Sequence, residues 1–208
     1  MIENNLIPEL DRRSARLRRF MKVATALNVG YGLFGLVTAF LTGTNPALIA
    51  DSTHNALDGL AHSAHTKTHI KEHNHESDTQ SSRKDVKRIR RIAGGFMIAA
   101  SCLTGGYSLI NVLEPPSNEI DKTALIVELG SLAASGALLA GVRVNADGTA
   151  AYRDARNHLT VDVLGSAISA TSIGFTSLLP TAPGIGGFTA SVLTFSAGLN
   201  TLLDTHQH

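Results

Sequence analysis

The chain alternates long stretches that lack charge with short segments that are dense in charge. Residues 23–50 contain no Asp, Glu, Lys or Arg, and neither do residues 92–113 or 163–203. A fourth stretch, residues 123–142, contains a single charged residue, Glu128. A helix that crosses a membrane needs about 20 mostly apolar residues, so each stretch is long enough to span. The pattern predicts an all-α, polytopic membrane protein.

The longest charge-free stretch is expected to form two helices, because Pro180, Pro183 and the glycines within 184–187 mark a tight turn. One further span, the second, precedes the basic residues of 67–91. It is the least apolar of the set, because several ionisable residues interrupt it. We therefore predict a bundle of six transmembrane helices at residues 24–43, 46–66, 92–113, 123–142, 155–178 and 185–203.

Basic residues are concentrated on one side of this predicted topology. They cluster in residues 12–22, 67–91 and 143–156, whereas the opposite side has only Lys122. Lys and Arg favour cytoplasmic loops, so both termini are predicted to be cytoplasmic. We expect an integral, multi-pass protein of the plasma membrane or an inner membrane. Its predicted parts are a basic cytoplasmic segment (1–22) and a six-helix domain (23–205) with a His-rich cytoplasmic loop (67–91), without a C-terminal cytoplasmic domain.

Bulk composition does not decide between membrane and solvent. Hydrophobic residues make up 43% of the chain, and the mean hydropathy of +0.09 would also suit a soluble helical bundle, which stays open as an alternative. The net charge of +1 conceals the one-sided clusters, which leave no basic face for nucleic acid. The single cysteine, Cys102, allows no disulfide within the chain.

The chemistry of the chain is concentrated in two His-x-x-x-Asp motifs, His54–Asp58 and His158–Asp162, which fall in the second and fifth predicted spans. Residues four apart share a face of a helix. Two facing helices would present two imidazoles and two carboxylates, which is the ligand set of a tetrahedral Zn²⁺ site. Ionisable residues within a span are costly and point to function. The alternative is that they are hydrogen-bonded packing residues.

Histidines continue beyond the second span at helical spacing. The stripe is predicted to capture metal near the site, although a polar loop that binds metal adventitiously is the alternative. Its members are His62, His65, His69, His73 and His75.

Two acidic residues are candidates for proton coupling. Asp51 lies two turns before Asp58 on nearly the same face, and Glu128 lies in the fourth span. Asp51 would equally suit the start of the span as a structural residue. Asn28 and Asn55 are candidates to support the ligands by hydrogen bonding, or to link helices in the ordinary way.

Taken together, these residues resemble the cation diffusion facilitator family. The resemblance covers nearly the whole chain, in order and with the expected spacing, and two His-x-x-x-Asp motifs in the second and fifth spans make it specific. The matching segments are Ala26-Leu27-Asn28, residues 43–48, residues 50–58, Asn111 to Pro116 and residues 158–166.

The resemblance implies a proton-coupled exporter of divalent cations, most often Zn²⁺, that works as a homodimer. Its transport site would be formed by His54, Asp58, His158 and Asp162. Two features depart from the family. The family's usual C-terminal cytoplasmic domain, which helps many members to dimerise, is not expected after the sixth span. Glu128 also stands where members often have a neutral polar residue.

The sequence leaves the metal and two other functions open. Co²⁺, Cd²⁺, Ni²⁺, Fe²⁺ and Mn²⁺ are alternatives to Zn²⁺, and the metal would be cargo, so no cofactor and no enzyme activity are expected. The expected partners are the cation, protons and membrane lipid. One alternative is an intramembrane metallo-hydrolase, although the chain lacks an HExxH motif. The other is a membrane metal sensor that does not transport.

Overall fold

The chain folds into helices joined by short connections. The structure, a computed structural model, describes residues 3–43, 45–73, 80–115, 119–145 and 150–203. Its helices are α1 (Glu3–Thr42), α2 (Pro46–His73), α3 (Gln80–Leu113), α4 (Lys122–Val144), α5 (Ala150–Gly174) and α6 (Ala182–Leu203). These described residues form no β-strand, so the prediction of an all-α fold with six helices is confirmed.

The first three helices are longer than predicted. α1 begins at Glu3, so the basic N-terminal segment continues into the first apolar stretch as one helix. α2 continues to His73, beyond its predicted end at residue 66, and α3 begins at Gln80 rather than at residue 92, within the predicted loop. All three extensions are rich in polar and charged residues. Such residues form helix readily where apolar periodicity gives no signal of it.

The connection between α5 and α6 lies earlier than predicted. α5 ends at Gly174 rather than at residue 178, and Leu179 N–H donates to the Phe175 carbonyl at 2.9 Å in the turn that follows. Leu179 precedes Pro180, and a residue before proline is disfavoured in the helical conformation. α6 then begins at Ala182 with Pro183 in its first turn, where proline costs no hydrogen bond.

Three helical segments are long and apolar enough to cross a membrane. They are Ala15–Thr42 of α1, Lys87–Leu113 of α3 and Lys122–Val144 of α4, which correspond to the first, third and fourth predicted spans. α2, α5 and α6 do not belong to this group. The two that carry the His-x-x-x-Asp motifs, α2 and α5, have several polar residues in place of apolar ones.

The distribution of side chains is the reverse of that in a water-soluble domain. Phe40, Leu103 and Ile126 are 81%, 76% and 70% exposed, whereas Asp58 and Asp162 are fully buried. An extended apolar surface around a polar interior would be unfavourable in water. It suits a protein surrounded by lipid, and it agrees with a membrane location.

α2 lies at the centre of the bundle, in contact with α1, α3, α5 and α6. The other helix pairs in contact are α3 with α6, α4 with α5, α5 with α6, and α1 with α4. α1 can approach α2 closely because Gly32 has no side chain: an added Cβ would lie 2.7 Å from the Ser52 carbonyl oxygen. Small residues at helix contacts are the usual means of close packing in membranes. This packing brings the polar face of α2 against α5.

Candidate metal centre

α2 and α5 direct their polar faces at each other. On α2, Asp51, His54 and Asp58 follow one another at intervals of three and four residues, so they share a face. On α5, His158 and Asp162 are four residues apart. Both motifs lie inside uninterrupted helix, so the backbone holds each His and Asp at a fixed separation.

The two motifs pair crosswise. His54 Nε2 lies 2.9 Å from Asp162 Oδ1, and His158 Nδ1 lies 2.9 Å from Asp58 Oδ1. Each imidazole therefore meets the carboxylate of the other helix rather than that of its own. Because the first residue of each motif contacts the last residue of the other, the two helices run antiparallel here.

The cluster is closed to its surroundings and small enough to hold one ion. Ligand atoms from His54, Asp58 and Asp162 all lie within 4.8 Å of one another. These side chains are 3% exposed or less, and that of His158 is 13% exposed. A tetrahedral Zn²⁺ with bonds of about 2.0–2.1 Å separates its ligand atoms by about 3.3 Å. To take the ion, each crossed pair would open slightly from 2.9 Å, and the wider separations of up to 4.8 Å would close.

α1 supplies the group that orients one of the carboxylates. Asn28 Nδ2 donates to Asp162 Oδ2 at 2.8 Å, and Asn28 is buried. Asp162 thereby presents its other oxygen to His54. His54 Nδ1 has no hydrogen-bond partner among the described residues. Outer groups of this kind fix the orientation of metal ligands in other metal sites.

A second buried polar cluster joins α2, α4 and α5 beside the first. Asp51 Oδ2 accepts from Asn55 Nδ2 at 3.0 Å and from Ser166 Oγ at 2.8 Å. Asn55 also donates to Ser131 Oγ at 3.1 Å, and the Ser131 and Ser166 hydroxyls lie 3.0 Å apart. Every member of this network is buried.

Glu128 of α4 completes the second cluster. Its carboxyl group lies beside that of Asp51, and no donor group of the described residues reaches its oxygens. Two neighbouring carboxyl groups can satisfy each other by sharing a proton. α5 leaves room for Asp51 at Gly165, where an added Cβ would lie 2.8 Å from Asp51 Oδ1.

The structure thus brings His54, Asp58 and Asp162 close to one another, and His158 adjoins this group through its contact with Asp58. It also places Asp51 and Glu128 in contact, which their separation in sequence did not suggest. Of the predicted histidine stripe, α2 includes positions 62, 65, 69 and 73, but their side chains and the whole of His75 lie outside what the structure describes.

The sequence did not predict that Ser131 and Ser166 belong to the second cluster. Ser166 follows Asp162 by one helical turn, and Ser131 follows Glu128 by three residues. Serine is common throughout the apolar stretches, where it often bonds to its own helix backbone. The helical spacing from an acidic residue was the only available signal.

No protein-family model matches this chain, and no curated protein matches it. The resemblance to cation diffusion facilitators therefore rests on the motifs, and the chemistry of the centre rests on the geometry described above.

We expect Asn28→Leu to weaken Zn²⁺ binding about 10- to 100-fold, since loss of an outer hydrogen bond has effects of this size in other metal sites. Competition with a fluorescent chelator in detergent measures the affinity. Asn111→Leu is the matched control, because Asn111 is equally buried but donates to the Tyr107 carbonyl within α3. Equal effects of the two changes would show that Asn28 acts only through packing.

Proposed function

We propose that the protein exports divalent cations, with Zn²⁺ as the preferred substrate, from the cytoplasm by proton antiport. The observation that carries this proposal is the crossed pairing of two imidazoles and two carboxylates in a buried cluster. Two carboxylates compensate the charge of one divalent ion. Imidazole nitrogens favour Zn²⁺ and similar transition metals over Mg²⁺ and Ca²⁺.

All six helices cross the membrane in this proposal. α2, α5 and α6 contain 28, 25 and 22 residues, which corresponds to about 33–42 Å at 1.5 Å per residue. The hydrocarbon core is about 30 Å thick, so each is long enough. Among the polar residues that lower the hydropathy of α2 and α5, Asp51, His54, Asp58 and Asp162 are buried, where contact with lipid does not penalise them.

Proton coupling follows from the ligand chemistry. A metal ion requires unprotonated imidazole and carboxylate groups, so metal and protons compete for the same atoms. A proton shared by Asp51 and Glu128 would provide a second position for a coupled proton one helical turn from His54. The bundle would expose the metal cluster to either side as its helices move against one another.

The two alternative functions differ in what they require of the centre. A metallo-hydrolase needs an open coordination position and access for a bulky substrate, and the burial of Asp58 and Asp162 disfavours such access. A sensor would bind metal but would not move it. Assays on protein reconstituted into liposomes distinguish the three functions, since they detect substrate cleavage, metal binding alone or metal transport.

We expect purified protein to move Zn²⁺ into proteoliposomes with an acidic lumen faster than at equal pH, with protons leaving the lumen as metal enters. Asp58→Asn and Asp162→Asn should reduce the rate by more than the 10- to 100-fold typical of outer-shell changes, because each removes a ligand. Glu119→Gln is the control, since Glu119 is exposed at the surface. Zn²⁺ movement that ignores the pH gradient and carries no proton flux would refute antiport.

Glu128→Gln tests the second cluster. Glutamine is isosteric with a protonated glutamic acid and can still donate to Asp51, so Zn²⁺ affinity should be retained. If the shared proton is coupled to transport, the dependence of the transport rate on pH should flatten, while Ser131→Ala should leave that dependence intact. An unchanged pH profile for Glu128→Gln would restrict Glu128 to a packing role.

The proposed topology predicts which positions a membrane-impermeant thiol reagent reaches in intact cells. With Cys102 replaced by serine, Glu119→Cys should be labelled from outside and Lys84→Cys only after permeabilisation. Both residues are exposed in the structure, so failure to react would reflect the membrane rather than burial. The reverse pattern would place the termini outside.

A further inference from the structure

The second buried cluster has more oxygen acceptors than hydrogen-bond donors. Four of its side-chain oxygens have no hydrogen-bond partner among the described residues, namely Asp51 Oδ1, Asn55 Oδ1 and both carboxyl oxygens of Glu128. These three side chains belong to residues that are 2% exposed or less. A buried acceptor without a partner is costly. The cluster therefore favours a ligand that several oxygens can share.

The donors of the cluster are already committed to other atoms. Asn55 Nδ2 donates to Asp51 Oδ2 and to Ser131 Oγ. Ser166 Oγ donates to the same oxygen of Asp51, and the two serine hydroxyls share a further hydrogen bond. Every one of these donors thus serves Asp51 Oδ2 or a serine hydroxyl, and none is left for the four oxygens.

The surrounding parts of α2, α4 and α5 supply no further donor. On α2 the described side chains continue to Gly59, eight residues beyond Asp51, and those of α4 are described throughout. On α5 they are described without a gap over residues 155–174, on both sides of the cluster. Where α5 faces Asp51 Oδ1 it presents Gly165, at which an added Cβ would lie 2.8 Å from that oxygen.

A shared proton satisfies this cluster only in part. One proton bridges two oxygens, one from each carboxyl group, so at least two of the four acceptors stay without a partner. The pair of Asp51 and Glu128 also keeps one negative charge when it holds one proton. A buried charge without a counter-charge is expensive. A monovalent cation would remove the charge and contact several oxygens at the same time.

We infer that the second cluster binds Na⁺, through oxygen atoms of Asp51, Asn55 and Glu128. The hydroxyl oxygens of Ser131 and Ser166 are further ligands. Carboxylate, carbonyl and hydroxyl oxygens suit hard cations, whereas the metal centre beside it contains imidazole nitrogens. Mg²⁺ usually keeps several waters, which suits an open site better than a buried one. A divalent ion would balance the pair only after loss of the shared proton, whereas Na⁺ balances it with the proton in place.

This Na⁺ site is separate from the proposed export of Zn²⁺. Its ligands do not include His54, Asp58, His158 or Asp162. The inference requires neither metal transport nor a particular orientation in the membrane. Na⁺ binding and Zn²⁺ transport can therefore fail independently.

Binding of radioactive Na⁺ to the detergent-purified protein, measured by scintillation proximity, provides the test. Binding should be saturable, and unlabelled NaCl should compete with it while choline chloride at the same ionic strength should not. Glu128→Gln and Asp51→Asn keep the size of the side chain but remove its charge. Each should weaken Na⁺ binding about 100-fold or more, because removal of one partner from a buried charged pair is strongly unfavourable. Glu114→Gln is the control, since Glu114 is exposed, and it should leave Na⁺ binding unchanged.

Asn55→Leu tests the neutral ligand. It removes the amide oxygen and should weaken Na⁺ binding about 10-fold. Asn111→Leu is the matched control, because Asn111 is buried within the bundle but donates to the Tyr107 carbonyl of its own helix. A cooperative thermal unfolding transition in detergent verifies that each variant folds. The melting temperature of the unchanged protein should rise with NaCl concentration, while that of Glu128→Gln should not.

Four outcomes would overturn the inference. Na⁺ could fail to bind saturably, or Glu128→Gln could bind it as tightly as the unchanged protein, and either result would leave the carboxyl pair to protons alone. Saturating Zn²⁺ could displace the radioactive Na⁺, which would assign Na⁺ to the metal centre. Finally, CaCl₂ could compete at lower concentration than NaCl, which would identify a site for a divalent ion.

Discussion

Four ionisable side chains in the middle of an apolar bundle have to satisfy one another, and the rest of the structure depends on that constraint. An isolated buried charge is expensive, and removal of one partner from a buried pair leaves such a charge behind. The crossed pairing avoids an unpaired buried charge, because the imidazole of each helix contacts a carboxylate of the other helix. The pairing also fixes the register of the two helices. A slide by one turn, about 5.4 Å, would break both pairs together.

The second cluster depends on the same register. Asp51 and Asn55 are on α2, and Ser166, one turn beyond Asp162, is on α5, so the hydrogen bonds that surround the Asp51–Glu128 contact hold the pair of helices that carries the metal cluster. Among the described residues, α4 contributes Glu128 and Ser131 to this cluster. In the proposed antiport, a change of proton occupancy in one cluster would act on the helices that position the other. Coupling between metal and protons would then need no contact between Glu128 and a metal ligand.

The sequence predicted the helices well where apolar residues dominate. It predicted them less well where a helix is built from polar residues. Stretches nearly without charged residues predicted α1, α3 and α4. The extension of α2 to His73 is polar and has no apolar periodicity, so the sequence did not predict it. The matched spacing of the two motifs predicted that four residues converge. It could not predict which His pairs with which Asp, because that depends on the antiparallel approach of α2 and α5. The contact of Asp51 with Glu128 joins residues 77 positions apart, and only tertiary packing determines it.

Electroneutrality explains why this set of side chains suits an exchange of metal for protons. With Zn²⁺ bound, two carboxylates balance the ion and both imidazoles are neutral, so the cluster has no net charge. Without metal, a proton on each imidazole balances the carboxylate that faces it at 2.9 Å, and the net charge is again zero. Replacement of one Zn²⁺ by two protons thus never leaves an uncompensated charge in a dry interior, where such a charge would be most costly. Loss of one carboxylate breaks the balance in both states. In the proposed antiport, the two aspartates would therefore be needed for the return of the protonated centre as well as for the passage of the metal.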